Sequence, residues 1–258
     1  MDNRPGAVGL IALQEVTRSA PDGYTLLYGT INDVLREFTP NAKYTISRNF
    51  IPVTRLSSTP YIVVVHPSVQ ASSLKTLVNL AKAKPGTLTY ASSGPGSGIS
   101  LLGALFKNVA GVDMLEVPYK SFGAEIPDLL SGQILVVFQT ISVVGQHVRS
   151  GKLKALAVTQ GRRNNLFPDV PTTAENGLGE VESTAFAAIL LVAGTAPLIV
   201  QVLYQHLVRA INTQEYKEQN AAAGAEIGGE SPEEFAAFLR AESIKWSSLI
   251  KTTGIKIE

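Results

Sequence analysis

The chain contains no cysteine, which excludes disulfides, thiolate metal sites and thiol nucleophiles. Its three histidines, His66, His147 and His206, are far apart in sequence. There is no HExxH, no paired carboxylate–histidine cluster and no EF-hand loop, so neither a metal nor any other cofactor is expected. A surplus of one charge sign is also missing. Lys and Arg total 22 against 21 acids, which argues against nucleic acid or an anionic membrane as a partner. Long apolar runs are absent too: the longest, Ala185 to Ala193, is too short to span a bilayer, and no membrane insertion is expected. The amino terminus, Met1-Asp2-Asn3-Arg4-Pro5-Gly6, opens in turn chemistry, without a charged n-region, an apolar stretch or a cleavage site. No export signal is therefore expected in the chain as written. Neither an internal repeat nor a low-complexity linker interrupts it.

What is there is an ordinary globular composition. The 258 residues are 45% hydrophobic and 17% charged, enough for one large or two modest cores. The pattern alternates α and β. Val8–Ser19 reads as a short helix, and Tyr24–Tyr28 as a strand after the Pro21-Asp22-Gly23 turn. Tyr61–Val65 is a continuous apolar run of the kind buried on both faces of a mainly parallel sheet. Ser72–Lys84 reads as a helix closed by Pro85-Gly86. Strands are expected over Met114–Val117, Ile134–Phe138, Leu153–Thr159 and Phe186–Val192. Leu198–Asn212 reads as a helix with Ile199, Val202, Leu203, Leu207 and Ala210 on one stripe. Ser231-Pro232-Glu233-Glu234 has the spacing of a capping box. The helix it opens carries Phe235, Phe238, Leu239, Trp246, Leu249 and Ile250 as core residues and ends at Gly254.

The most informative stretch is Leu88 to Gly103. A β-prone run breaks into Ser92-Ser93-Gly94-Pro95-Gly96-Ser97-Gly98 and re-enters a helical pattern with Leu101, Leu102, Leu105, Phe106 and Val109 inward. Glycines allow close backbone approach, a helix start favours negative charge, and serine hydroxyls add rotatable donors. Together they form a device for holding a small anion. Three enzymatic readings compete. Gly94-Pro95-Gly96-Ser97-Gly98 followed by Glu116 imitates a dinucleotide fingerprint, but the spacing is GxGxG, with proline in the tight turn. A serine hydrolase would need glycine where Pro95 stands. Gly145 to Lys152 imitates a P-loop, but Leu153 follows where Ser or Thr belongs.

An ordered set of segments runs along the whole chain. It comprises Asn3-Arg4-Pro5-Gly6, Ala20 to Leu27, Leu80 to Gly86, Val117-Pro118-Tyr119-Lys120, Gly151 to Thr159, Pro168-Asp169-Val170-Pro171-Thr172 and Ala193-Gly194-Thr195. This set resembles the Bug-type periplasmic solute-binding receptors of tripartite tricarboxylate transporters. The resemblance implies a non-enzymatic α/β protein with a two-lobed, type II periplasmic-binding-protein-like fold, each lobe a mainly parallel sheet flanked by helices. Residues 1–64 and 190–258 would form lobe 1, and 65–189 lobe 2. A small organic (di)carboxylate would be bound between the lobes, in the periplasm, for delivery to membrane transporter subunits.

Carried over by position, the resemblance gives Ser92, Ser93, Gly96, Ser97 and Gly98 as anion donors, Thr30 at the end of a strand, and Tyr119 and Lys120 as the family's Tyr-Lys pair. Lys120 either lends positive potential or is a solvated surface residue. Gln139 stands where the family usually has Asp, Ser100 where it has His, Ser121 where it has Gly, and Phe186-Ala187-Ala188 where it has Trp-Phe-Gly beside the cleft. Losing the acid at Gln139 removes a partner for a ligand amine, so a plain acid is expected over an amino acid. The family's usual first strand, helix and glycine-rich loop have no counterpart in this sequence. Two states follow: a monomeric receptor, or a repurposed scaffold whose first lobe is completed by self-association as a homodimer.

Overall fold

The computed structural model describes residues 1–4, 9–39 and 42–254. The expected Pro5-Gly6 turn and the helix start at Val8 lie outside them. The chain divides into two compact units. Unit 1 is Met1–Ser58, Phe186–Ala221 and Glu226–Glu258; unit 2 is Thr59–Ala185 with Ala222–Ala225.

In unit 1, helix α1 (Leu10–Thr17) precedes strand β1 (Leu26–Gly29), followed by the short helices α2 (Ile31–Leu35) and α3 (Ile46–Asn49). Strand β2 (Phe50–Val65) begins here, and β7 (Thr184–Val192), α8 (Pro197–Ile211), α9 (Gln214–Ala222), β8 (Glu226–Ile227) and α10 (Pro232–Thr253) complete the set. The strand order is β1-β7-β2. β1 runs antiparallel to β7, with Leu27 opposite Leu190, and β8 pairs antiparallel with Ser57 and Ser58 of β2. Val53, Leu191 and Val200 form one core, with Leu203, Tyr204 and Leu207 packed on it. The buried stripe of α8 is therefore Val200, Leu203, Tyr204, Leu207 and Ile211, while Val202 and Ala210 face solvent. This rotates the predicted stripe by about a quarter of a turn, with Leu203 and Leu207 common to both. The apolar residues of α8 allow two phases, and the sheet it packs against selects one. The capping box of α10 is formed: Ser231 Oγ accepts from Glu234 N at 3.3 Å, and Glu234 Oε2 accepts from Ser231 N at 2.8 Å.

Unit 2 is built on the second half of β2, with α4 (Leu74–Ala83), β3 (Thr89–Ser92), α5 (Gly98–Ala110), β4 (Leu115–Pro118), α6 (Ile126–Ser131), β5 (Val136–Thr140), α7 (Ile141–Arg149) and β6 (Lys154–Val158). The strand order is β6-β2-β5-β3-β4. β3 runs parallel to β4 and β5, whereas β2 is antiparallel to both β5 and β6. Tyr61–Val65 is buried on both faces, as its composition predicts, but its partners are antiparallel rather than parallel. The strand also starts eleven residues earlier than the apolar run, at Phe50. Its first half is polar enough to conceal it in a sequence. One sheet face carries Ile62, Val64, Ala91, Val137, Leu129 of α6 and Val144 of α7 in a single apolar cluster. On the other face Tyr90 meets Phe138 edge-on at 6.1 Å, with Phe106 of α5 5.3 Å from the same Phe138 ring.

Candidate functional site

Within unit 2 the chain steps from β3 through α5 to β4 on one side, then returns through α6 to β5 on the other side of β3. Parallel crossovers are right-handed, so the two steps put their helices on opposite faces. The side chains agree: Tyr90 points to α5, where a Cβ on Gly103 would lie 2.2 Å from its ring, and the next residue, Ala91, packs with Leu129 and Val144. The chain directions therefore diverge between the carboxyl ends of β3 and β5, which is where ligands bind in open α/β sheets.

The predicted residues of unit 2 lie on the segments at that edge. Ser92 ends β3, and the turn after it reverses through Gly94 at φ 91° and Gly96 at φ 76°, values that residues with a side chain rarely adopt. Nothing lies within 4 Å of a Cβ built on Gly94, so glycine is required there for its backbone angle and not for space. Ser97 is the N-cap of α5, its Oγ accepting from Ser100 N at 3.2 Å. Ser92 Oγ accepts from Gly94 N at 3.1 Å. Both serines are buried, at 3% and 2% exposure. In each, one oxygen lone pair is occupied while no acceptor for the hydroxyl proton is found among the described residues. Gly98, also buried, starts α5; Ser93 and Gly96 are half-buried. The 13-residue α5 has no acidic side chain in its first turn, and the amino end of a helix favours negative charge.

Tyr119 is tied to this turn by its N–H, which donates to Ser92 O at 2.8 Å. Its phenol donates to Asp128 Oδ2 at 2.6 Å. Burial and that carboxylate push the phenol up to about 12, so it stays protonated at neutral pH. Lys120 is exposed. Gln139 is fully buried near the end of β5, its amide fixed at both ends: Nε2 donates to Glu125 Oε1 at 2.7 Å and Oε1 accepts from Thr140 N at 2.7 Å. Glu125, itself 3% exposed, is a carboxylate at the point where the sequence had an amide in place of an acid. Thr140 Oγ1 lies 2.9 Å from Ser142 Oγ at the start of α7. Sequence reasoning missed Glu125, Asp128 and Thr140. Residues one loop apart along the chain give no local signal that a sheet edge will assemble them.

Two predicted residues belong to unit 1. Thr30 follows β1, and both its N–H and its hydroxyl donate to Asp33 Oδ2, at 2.8 and 3.2 Å. Its remaining capacity is to accept. Phe186 lies in an aromatic cluster, edge-on to Phe235 at 6.2 Å and to Phe238 at 5.6 Å.

The competing enzyme geometries are not met. Glu116 lies inside β4 and its Oε2 accepts from Tyr90 Oη at 2.9 Å, so it is engaged where a dinucleotide ribose would require it. Ser97 is a helix cap, and the ring of His66 is engaged by Ser68 at 2.8 Å.

Similarity to known proteins agrees. Residues 1–255 match the family described as tripartite tricarboxylate transporter family receptor. Protein BugT of Bordetella pertussis is 32% identical over 261 aligned residues, covering 100% of this chain and 80% of that protein. Among solved structures, the R. palustris protein Rpa4515 with adipate superposes at a TM-score of 0.90 with 29% identity, over 99% of this chain and 86% of that one. MatC from Rhodopseudomonas palustris with bound malate gives 0.86 with 25% identity, over 95% and 85%. The fold is that of Bug-type periplasmic binding proteins, and the dinucleotide and hydrolase readings fall with it. The chain belongs to the tripartite tricarboxylate transporter receptor family, whose members are solute-binding receptors rather than enzymes.

Proposed function

We propose that the chain captures a small organic carboxylate on unit 2, at the crevice between the carboxyl ends of β3 and β5. It would do so in the periplasm and deliver the acid to the membrane subunits of a tripartite tricarboxylate-type transporter. The observation that carries this reading is the pair of buried hydroxyls at Ser92 and Ser97, each with its oxygen held by a backbone N–H and its proton without an acceptor among the described residues. Two donors so arranged, beside the start of α5, suit a carboxylate and leave a neutral apolar group unserved. The adipate and malate held by two relatives of the same fold support an acid of this size. Each charge-assisted bond contributes about 1.5–3 kcal/mol, so three or four suffice for micromolar capture after ordering costs.

Calorimetric titration of C4 to C8 dicarboxylates tests this. Binding near the micromolar range is expected, weakened by about tenfold or more in Ser97→Ala and in Ser92→Ala. Silence from every acid, or unchanged affinity in both variants, removes the proposal.

A further inference from the structure

Unit 1 has a cavity of its own, about 540 Å³, walled by α3, the first residues of β2 and α10. Helix α10 faces it with Ala236, Leu239, Arg240, Ser243 and Ile244, the i, i+3, i+4, i+7, i+8 spacing of a single helical face. The floor is apolar: Ile46, Phe50 and Leu239 line it and are all buried. At the rim, Ile244 keeps 71% of its surface in water. An exposed apolar side chain continuous with an apolar floor marks a groove that an occupant covers.

Two charges border this surface, and they differ in what they have left to offer. Glu37 is engaged internally. Its Oε1 accepts from the amides of Ile46 and Ser47, the latter at 3.4 Å, and its Oε2 accepts from Ser243 Oγ at 3.3 Å. These bonds tie the start of α3 to α10 and so fix two walls of the cavity. Arg240 is exposed and makes neither an ion pair nor a hydrogen bond among the described residues. Its planar fork of donors matches a carboxylate. The cavity falls in the size range of small-molecule sites, about 300–1,000 Å³, which join an apolar lining to a few orienting polar groups. We propose that unit 1 holds a second ligand site, for a free monocarboxylate with a medium-length alkyl tail. Its carboxylate would pair with Arg240 and its tail would cover Ile46, Phe50, Leu239 and Ile244. The site lies wholly within unit 1 and does not depend on the carboxylate anchor of unit 2.

The test is calorimetry on the full chain with hexanoate, octanoate and decanoate as probes. Affinity should rise about three- to fourfold with each added methylene. Arg240→Gln should weaken octanoate about tenfold or more, while leaving unchanged the binding of 1-octanol, which has the tail without the charge. Ala236→Phe, which fills the cavity, should abolish binding of all three acids, and the exposed Arg240 position keeps the test open if that variant folds poorly. Ser97→Ala should leave octanoate binding as it is in the parent. Absence of binding at every chain length, or an affinity flat with chain length, overturns the second site and leaves dicarboxylate capture by unit 2 untouched. Octanoate binding weakened by Ser97→Ala and unmoved by Arg240→Gln also overturns it, by placing the acid on the anchor of unit 2. A parent that sediments as a dimer, and as a monomer in Ile244→Glu, assigns the groove to a second copy of the chain and overturns the proposal as well.

Discussion

Asp33 is almost fully buried, and burial lifts its carboxyl to about 6 despite the two bonds from Thr30 and the charge of Arg36. A carboxyl raised in this way holds its proton in the folded state where the unfolded chain has lost it. Its favourable contribution is complete below about pH 4 and is lost as pH rises through about 6. Asp33→Asn, whose amide oxygen can still accept from Thr30, should therefore gain stability relative to the parent as pH rises from 4 to 7, by up to about 3 kcal/mol. Denaturant melts of both proteins at several pH values check this; a constant difference across that range would show that Asp33 is charged in the fold throughout. Gly103 is constrained differently. A Cβ there would lie 2.2 Å from Tyr90, a ring fixed by Phe138 and by its bond to Glu116. Gly103→Ala should destabilise unit 2 by about 1–3 kcal/mol through overpacking, measured as a lowered denaturation midpoint.

Elements differ in how far a sequence announces them. The start of α10 is legible because every participant, Ser231, Pro232 and Glu234, lies within four residues and the chemistry is local. Ser231→Ala should cost about 1 kcal/mol in thermal stability. The glycine–serine turn is legible for the same reason, and its two positive-φ glycines stand where the motif puts them. Strand β2 is half legible: Tyr61–Val65 declares itself by apolar content, while Phe50–Ser58, with Thr54, Arg55, Ser57 and Ser58, looks like a loop until β7 and β8 pair with it. The direction of its neighbours is invisible to composition, since burial on both faces enriches the same residues in either arrangement. The candidate site divides along the same line. Its donors lie in one contiguous turn and can be read, whereas its acceptors, Glu125 and Asp128, reach Gln139 and Tyr119 across loops and become visible only when the sheet brings them together.

At the scale of the whole chain, capture of a ligand by the folded protein should raise its stability by mass action, about 2.7 kcal/mol at a hundredfold excess over Kd. That gain should vanish in Ser97→Ala at the same concentration, which a thermal shift series reads directly. The order in which the units are written along the chain has a consequence for biosynthesis. All but four residues of unit 2 form one uninterrupted stretch, Thr59–Ala185, whereas unit 1 is assembled from three pieces, the last ending at the carboxyl terminus. A ribosome therefore releases nearly all of unit 2 while unit 1 still waits for α10. Translating chains should acquire protease resistance over 59–185 first, leaving residues 1–58 exposed until the later pieces of unit 1 are made.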